Sequence, residues 1–369
     1  MTRVAADMTA HHHRSVARSI GRCCNRTART PCHMQIMLLL PALCLTMSAV
    51  LQVAAADTSP HSRRMVRVMP DVSLEVLEWG GRGPAVVLLT GIGSTAHVYD
   101  DLAPRLARDF HVYGITRRGY GASTGALPDI TIDRLAEDVA AVIDSLQLHR
   151  PALVGHSLGA MELVVLGTRH GPRLRGLVFL DGPYDEGDPD IRAMLPVFGS
   201  LPGPPPRTAS DRVSHAAMQA ADRRVDGYLT PIGDYEARYS PGPEGLLARR
   251  ATGRLNVDSI WATIHFPLEL GRIPVRSLAL YSIWEAPVER MVPYFAQLDS
   301  TGQAAARAVH ARLAPNGRSD VLRRQIERFH RDMPRGEAAG LAGAAHYSFL
   351  SDPDDIYRRI RSFLLSLPR

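Results

Sequence analysis

Apolar residues in the body of the chain fall into short unbroken runs, separated by stretches with apolar positions three and four apart. Pro84-Ala85-Val86-Val87-Leu88-Leu89 is one such run and Pro151–Val154 is another, and Phe110–Ile115 and Leu174–Leu180 also read as strands. A run apolar at every position is the pattern of a strand buried on both faces. Met65–Val68 and Ser73–Trp79 instead read as a short antiparallel pair, ended by Gly80-Gly81 and Gly83-Pro84. Between the runs, Tyr99–Leu106 has helical spacing, and Ile132–Leu146 places Leu135, Val139, Val142, Ile143 and Leu146 on one helical face. Alternating strands and helices of this kind predict a mostly parallel α/β sheet covered by helices on both faces.

The pattern breaks between Gly182 and about Leu270. Leu201-Pro202-Gly203-Pro204-Pro205-Pro206 is a breaker cluster, and only scattered helical pieces remain, such as Arg212–Val225 and Gly245–Leu255. An inserted cap over the carboxyl edge of the sheet is expected there, with a large ordered loop as the alternative. The β/α alternation resumes at Ile273–Tyr281. Next come a helical segment over Thr301–Met333 with a break at Pro315-Asn316-Gly317, a weak strand near Ala338–Leu341, and an amphipathic helix over Asp355–Leu365.

The run ending at Val154 leads into Gly155-His156-Ser157-Leu158-Gly159, followed by a helix-like stretch from Ala160 to Leu166. A serine on a sharp strand-to-helix turn needs neighbours without side chains two residues to either side, and Gly155 and Gly159 supply them. Ser157 is therefore the candidate nucleophile. The Leu158 N–H, at the start of the helix, is a candidate donor to a developing oxyanion.

Composition removes several other chemistries. The chain contains no lysine, which excludes Schiff-base enzymes, a phosphate-loop lysine and serine–lysine dyads. All four cysteines (Cys23, Cys24, Cys32, Cys44) precede Ala56, so a body freed of that leader has neither a disulfide nor a thiol nucleophile. The isoelectric point near 9.4 invites a nucleic-acid reading. However, Met1–Ala56 holds six arginines and one aspartate, so it carries +5 of the net +6. A near-neutral body offers no electrostatic footprint for DNA or RNA. No histidine pair has metal-ligand spacing on a helix and no glycine-rich loop is placed to cradle phosphate, so no metal and no cofactor is expected.

Met34–Ala56 reads as a secretory signal, with an apolar run from Ile36 to Val50 and a small-residue cleavage site at Ala54-Ala55-Ala56, before Asp57. Arg22, Arg26 and Arg29 precede it, and the length of the leader points to translation from Met34, with Met8 and Met37 as alternatives. The expected location is secreted or periplasmic, with no stable membrane span after cleavage. The alternative is an N-terminal anchor, although the apolar stretch is short for a span and is interrupted by Pro41. The expected organisation is a leader at 1–56 (signal core 34–56), a first core part at 57–182, an inserted cap at 183–270 and a second core part at 271–369.

Four segments together resemble the α/β-hydrolase superfamily over nearly all of Met65–Leu367. They are the strand running into Thr90-Gly91-Ile92-Gly93; Arg117-Arg118-Gly119-Tyr120-Gly121-Ala122-Ser123; the Ser157 turn; and Gly343-Ala344-Ala345-His346-Tyr347-Ser348-Phe349-Leu350 before a terminal helix. The resemblance implies an eight-stranded-type, mostly parallel sheet with a cap. It also implies a Ser, then acid, then His order of catalytic residues. It departs from many members at Thr90, where they carry a histidine; the Ile92 N–H still fits as the second oxyanion donor.

The resemblance places the base after the last strand, at His346. It puts the acid after the Ile273–Tyr281 strand, which favours Glu285, with Asp181 at the end of the preceding strand as the rival. His156 is expected to pack beneath the nucleophile and His97 to line the substrate pocket. Arg117 and Arg118 are expected to be structural, with binding of an acidic substrate as the alternative. The leading function is a serine hydrolase acting on a small ester, lactone or amide through an acyl-enzyme. The alternatives are acyl transfer or carbon–carbon bond hydrolysis with the same triad, or a hydrolase-fold protein that binds a small ligand without turning it over. Serine at the turn argues against the carboxylate-nucleophile chemistry of dehalogenases and epoxide hydrolases. The sequence sets no oligomeric state.

Overall fold

The computed structural model describes residues 60–125, 130–185, 187–250, 268–283, 285–313 and 319–368, all within one compact unit, Asp57–Arg369. The expected signal segment, the far end of the Gly245–Leu255 piece and the break at Pro315–Gly317 lie outside the described residues.

Eight strands form one sheet: β1 (Ser62–Met69), β2 (Val72–Gly80), β3 (Ala85–Leu89), β4 (His111–Ile115), β5 (Ala152–His156), β6 (Gly176–Leu180), β9 (Ser277–Ile283) and β10 (Gly336–Ala342). Their spatial order is β1-β2-β4-β3-β5-β6-β9-β10. The β1/β2 and β2/β4 pairs are antiparallel and all the others are parallel. The expected α/β sheet is therefore present, and strand positions differ from the apolar runs by a few residues at each end.

The apolar runs are unbroken because both faces of the sheet are covered. Within β3, Val87 and Leu89 join one core while Val86 and Leu88 join the other. In β6 the same split separates Leu177 and Phe179 from Val178 and Leu180, as the two-residue side-chain period of a strand requires. Helix α2 (Ile132–Ser145) and helix α3 (Leu158–His170) cover the first face, and Phe329 of the later helix Ser319–Asp332 packs into the same core. The terminal helix Pro353–Ser366 covers the second face with Ile356, Ile360, Phe363 and Leu364. Full burial of each such side chain contributes about 1.5–3 kcal/mol, which fixes the strand register and with it the loops at the carboxyl ends.

The insertion between β6 and β9 carries α4 (Pro189–Gly199), α5 (His215–Asp226), α6 (Ile232–Arg238) and a two-stranded ribbon, β7 (Tyr239–Pro241) with β8 (Leu247–Arg249). The ribbon corrects the helical reading at its start. Pro241-Gly242-Pro243-Glu244-Gly245 turns the chain back, with Glu244 and Gly245 both at positive φ and the Gly242 N–H donating to the Leu246 carbonyl at 2.9 Å. Helix α6 ties the insertion to the loop after β3: Asp234 Oδ1 accepts from both the N–H and the hydroxyl of Thr95, each at 2.8 Å. Among the described residues no helix is long and apolar enough to cross a membrane.

Candidate active site

The turn from β5 into α3 places Ser157 at φ 51°, ψ −113°, a conformation that L-residues rarely adopt. Holding a non-glycine residue there costs of order 1–3 kcal/mol, and the close approach of neighbouring backbone enforces it. A Cβ on Gly155 would lie 2.5 Å from the Gly159 carbonyl oxygen, and one on Gly159 would lie 2.7 Å from the Leu89 carbonyl oxygen. The Gly-x-Ser-x-Gly spacing is thus a steric requirement of the turn. Ser157 is left half-buried at the head of α3, whose first N–H groups, Leu158 among them, have no acceptor within the helix.

The loop after β3 runs beside this turn. A Cβ on Gly91 would lie 3.2 Å from Ser157 Cβ and 2.8 Å from His156 Nδ1. Arg117, buried after β4, holds the loop from behind. Its Nε donates to Glu162 Oε1 at 2.7 Å, Nη2 to the Thr90 carbonyl at 2.9 Å and Nη1 to the Gly91 carbonyl at 3.2 Å. In a trans peptide the N–H points opposite to the preceding C=O. Drawing the Gly91 carbonyl toward Arg117 therefore turns the Ile92 N–H to the other side. Arg117 is structural, as expected, but it acts on the site through this loop. Arg118 pairs with buried Asp138 at 2.5 Å and takes no part in the site.

His346 lies on the loop after β10. Its Nδ1 faces Asp181 Oδ2 at 2.5 Å. A carboxylate only accepts, so Nδ1 carries the proton and Nε2 is left with its lone pair. Asp181 is 6% exposed and sits at φ 49° at the end of β6. Its other oxygen, Oδ1, accepts from the Ser282 N–H at 2.8 Å and from the Tyr184 hydroxyl. Burial and the Asp181 charge push the Tyr184 hydroxyl well above the usual tyrosine range, so it stays a donor.

The loop carrying His346 is pinned at three points. Gly343, at φ +68°, donates its N–H to Ile283 O at 2.8 Å, Ser282 Oγ donates to the Ala345 carbonyl at 2.9 Å, and His156 Nε2 donates to the His346 carbonyl at 2.9 Å. His156 is fully buried, and its burial and the neighbouring His346 hold its pKa well below the usual histidine range. It is therefore the neutral Nε2–H tautomer. Its ring lies 4.6 Å from that of His346, centroid to centroid, which sets His346 beside the Ser157 turn.

The structure does not bring Glu285 to His346. The Glu285 N–H closes a tight turn onto the Ile283 carbonyl, and its carboxylate pairs with Arg323 of the helix Ser319–Asp332. The physical reason for the reversal is strand order. β6 lies between β5 and β9, so its carboxyl end is nearer the Ser157 turn than that of β9. His97 also departs from expectation: it faces His61, Asp100 and Glu75 in a buried cluster instead of lining a pocket at Ser157. Sequence reading missed Tyr184 and Ser282. The sequence mark for Tyr184 is its place three residues after Asp181; Ser282 carried no signal, because its role depends on the pairing of β6 with β9.

A family profile described as the alpha/beta hydrolase fold matches residues 84–220. Over 108 residues the chain is 36% identical to an N-formylmaleamate deformylase from Pseudomonas putida, covering 29% of this chain and 40% of that protein. It is 29% identical over 178 residues to a 2-(acetamidomethylene)succinate hydrolase from Mesorhizobium japonicum, covering 44% of this chain and 62% of the relative. The chain thus spans roughly half the length of the curated relatives it matches. Among solved structures, that of an E-2-(acetamidomethylene)succinate hydrolase superposes with a TM-score of 0.57 at 20% identity, covering 83% of this chain and 100% of the other. Its sheet order, its strand–turn–helix at Ser157 and these matches agree: the chain has the α/β-hydrolase fold.

Proposed function

We propose that the chain is a serine hydrolase that cleaves a small ester, lactone or amide through an acyl-enzyme on Ser157. The observation that carries this reading is the 2.5 Å contact between His346 Nδ1 and buried Asp181, set beside a serine at φ 51°. His346 Nε2 takes the Ser157 hydroxyl proton as Oγ attacks the substrate carbonyl carbon. The Ile92 and Leu158 N–H groups donate to the oxyanion. Asp181 holds the tautomer and stabilises the imidazolium, which then protonates the departing alcohol or amine. Water repeats the sequence in reverse to free Ser157.

The names of two relatives, an N-formylmaleamate deformylase and a 2-(acetamidomethylene)succinate hydrolase, support an acylated nitrogen as the bond to test first. Export through the Met34–Ala56 signal belongs to the same proposal, and the N-terminal sequence of the protein recovered outside the cytoplasm checks it.

The test is turnover of matched p-nitrophenyl esters and small N-acyl amides of increasing chain length, beside Ser157→Ala. Hydrolysis that disappears in the variant is the expected result. Turnover that persists in Ser157→Ala refutes the assignment. A wild type that is folded, inert to every acyl substrate and unlabelled by a fluorophosphonate supports a binding protein instead.

A further inference from the structure

On the far side of the loop after β3, three side chains from two distant parts of the sequence bring their donor atoms together. His61 Nε2 lies 3.2 Å from His97 Nδ1 and 3.4 Å from Asp100 Oδ1, and His97 Nδ1 lies 3.6 Å from Asp100 Oδ2. We propose that His61, His97 and Asp100 form a binding site for a divalent transition metal ion of the zinc type. The site is separate from the Ser157 site and independent of the function proposed for it.

The spacing is close to that of a coordination shell. Tetrahedral zinc with ligand bonds of about 2.0–2.1 Å places neighbouring donor atoms about 3.3–3.4 Å apart. The nearest approaches of the three side chains, 3.2–3.6 Å through both Asp100 oxygens, lie near that value, and one donor atom from each lies within 4.8 Å of the others, so a small inward shift would form one face of such a tetrahedron. Two imidazole nitrogens and one carboxylate oxygen suit zinc, which takes nitrogen and oxygen ligands together.

The surroundings match what ligating residues require. The second nitrogen of His97, Nε2, faces Glu75 Oε1 at 3.8 Å, the carboxylate partner that metal-bound histidines commonly have. Asp100 Oδ1 also accepts from Trp79 Nε1 at 3.2 Å, which orients the carboxylate. Buried Glu75 and partly buried Asp100 carry negative charge beside the two imidazoles, a setting that a divalent cation fits.

A separate observation concerns space. Gly233 of helix α6 approaches the cluster so closely that a Cβ there would lie 2.6 Å from Asp100 Oδ2 and 3.1 Å from His97 Nδ1. Glycine at this position lets the helix close directly over two of the three donors, and a methyl group there would push one or both out of place. The metal would join the residue leading into β1 to the loop after β3, beneath helix α6 of the insertion. Its role is a structural clamp. Sequence spacing could not reveal it, because His61 is 36 residues from His97.

The test uses the full untagged chain, stripped with a chelator, equilibrated with zinc and freed of excess. Metal content and Tm are compared between wild type, His61→Ala, Asp100→Asn and Gly233→Ala. His11, His12 and His13 are present in every protein, so only differences between them count. The expected result is one zinc more per chain in wild type than in His61→Ala or Asp100→Asn, with a zinc-dependent rise in Tm of several degrees in wild type alone. Gly233→Ala is expected to weaken zinc binding at least tenfold. Cobalt in place of zinc is expected to give the visible absorption of a tetrahedral nitrogen–oxygen site. Asp100→Asn keeps a hydrogen-bond acceptor for Trp79, so it remains informative if His61→Ala fails to fold. Equal zinc content in wild type and the folded variants, with no zinc-dependent Tm rise, would overturn the proposal and leave a cluster joined by protons alone.

Discussion

Arg117 offers a test of how the proposed oxyanion loop is held. Its guanidinium makes three kinds of contact at once: to Glu162 Oε1, to the Thr90 carbonyl and to the Gly91 carbonyl. The planar fork of arginine meets this geometry, whereas a lysine ammonium is a compact point charge. In Arg117→Lys the charge opposite Glu162 survives, and the contacts to Thr90 and Gly91 are lost or weakened. A hydrogen bond from a charged donor contributes about 1.5–3 kcal/mol, so the variant should lose about 3 kcal/mol of stability. That corresponds to a Tm lower by several degrees. The catalytic consequence is separate. Removing an oxyanion donor outright costs about 10²–10³ in kcat, and here the Ile92 N–H is loosened without being deleted. The expected fall in kcat is therefore about 10-fold to 100-fold, with KM changed less than threefold. The assay is steady-state ester hydrolysis well below the Tm of the variant. A folded Arg117→Lys protein with a lowered Tm and unchanged kcat would show that Arg117 only stabilises the fold.

Two further predictions concern carboxylates. Asp181→Asn should lower kcat by about 10³–10⁴, since the amide no longer enforces the Nδ1–H tautomer of His346, while Glu285→Gln should stay within about threefold of wild type. Steady-state kinetics of the two variants decides between them, and the reverse ranking sinks the triad drawn here. Asp226, at the end of α5, tests the insertion. Burial, with the nearby Asp222 charge adding to it, pushes its pKa up to about 6. The folded state therefore holds this proton more tightly than the unfolded chain does. Stability contributed by protonated Asp226 is full below about pH 4 and is lost as pH rises to about 6. The Tm advantage of Asp226→Asn over wild type should grow across that window and level off above it, and a difference flat in pH refutes the reading.

Much of the fold was legible because burial on both faces writes itself as unbroken apolar runs, as in Val86–Leu89 and Gly176–Leu180. The turn at Ser157 was legible because its two glycines and serine stand together in the sequence, although Gly159 is demanded by the Leu89 carbonyl of distant β3. The site loops were harder. Whether Asp181 or Glu285 meets His346 depends on which strands are neighbours, and β6 beside β9 is not a local property of either strand. The His61–His97–Asp100 cluster was hidden for the same reason: β1 and the loop after β3 meet only through the sheet. The hairpin at Pro241–Gly245 was written locally in its proline and glycine residues, but the helical spacing of Gly245–Leu255 masked it.

The measurement that bears most directly on the account is rapid-quench mass spectrometry of the intact protein during turnover of an activated ester, with the modified peptide then sequenced. The account predicts a transient gain of one acyl group on Ser157, absent in Ser157→Ala and slow to form in Asp181→Asn. Rapid hydrolysis with no acyl group on any residue, or an acyl group on a residue other than Ser157, would contradict it.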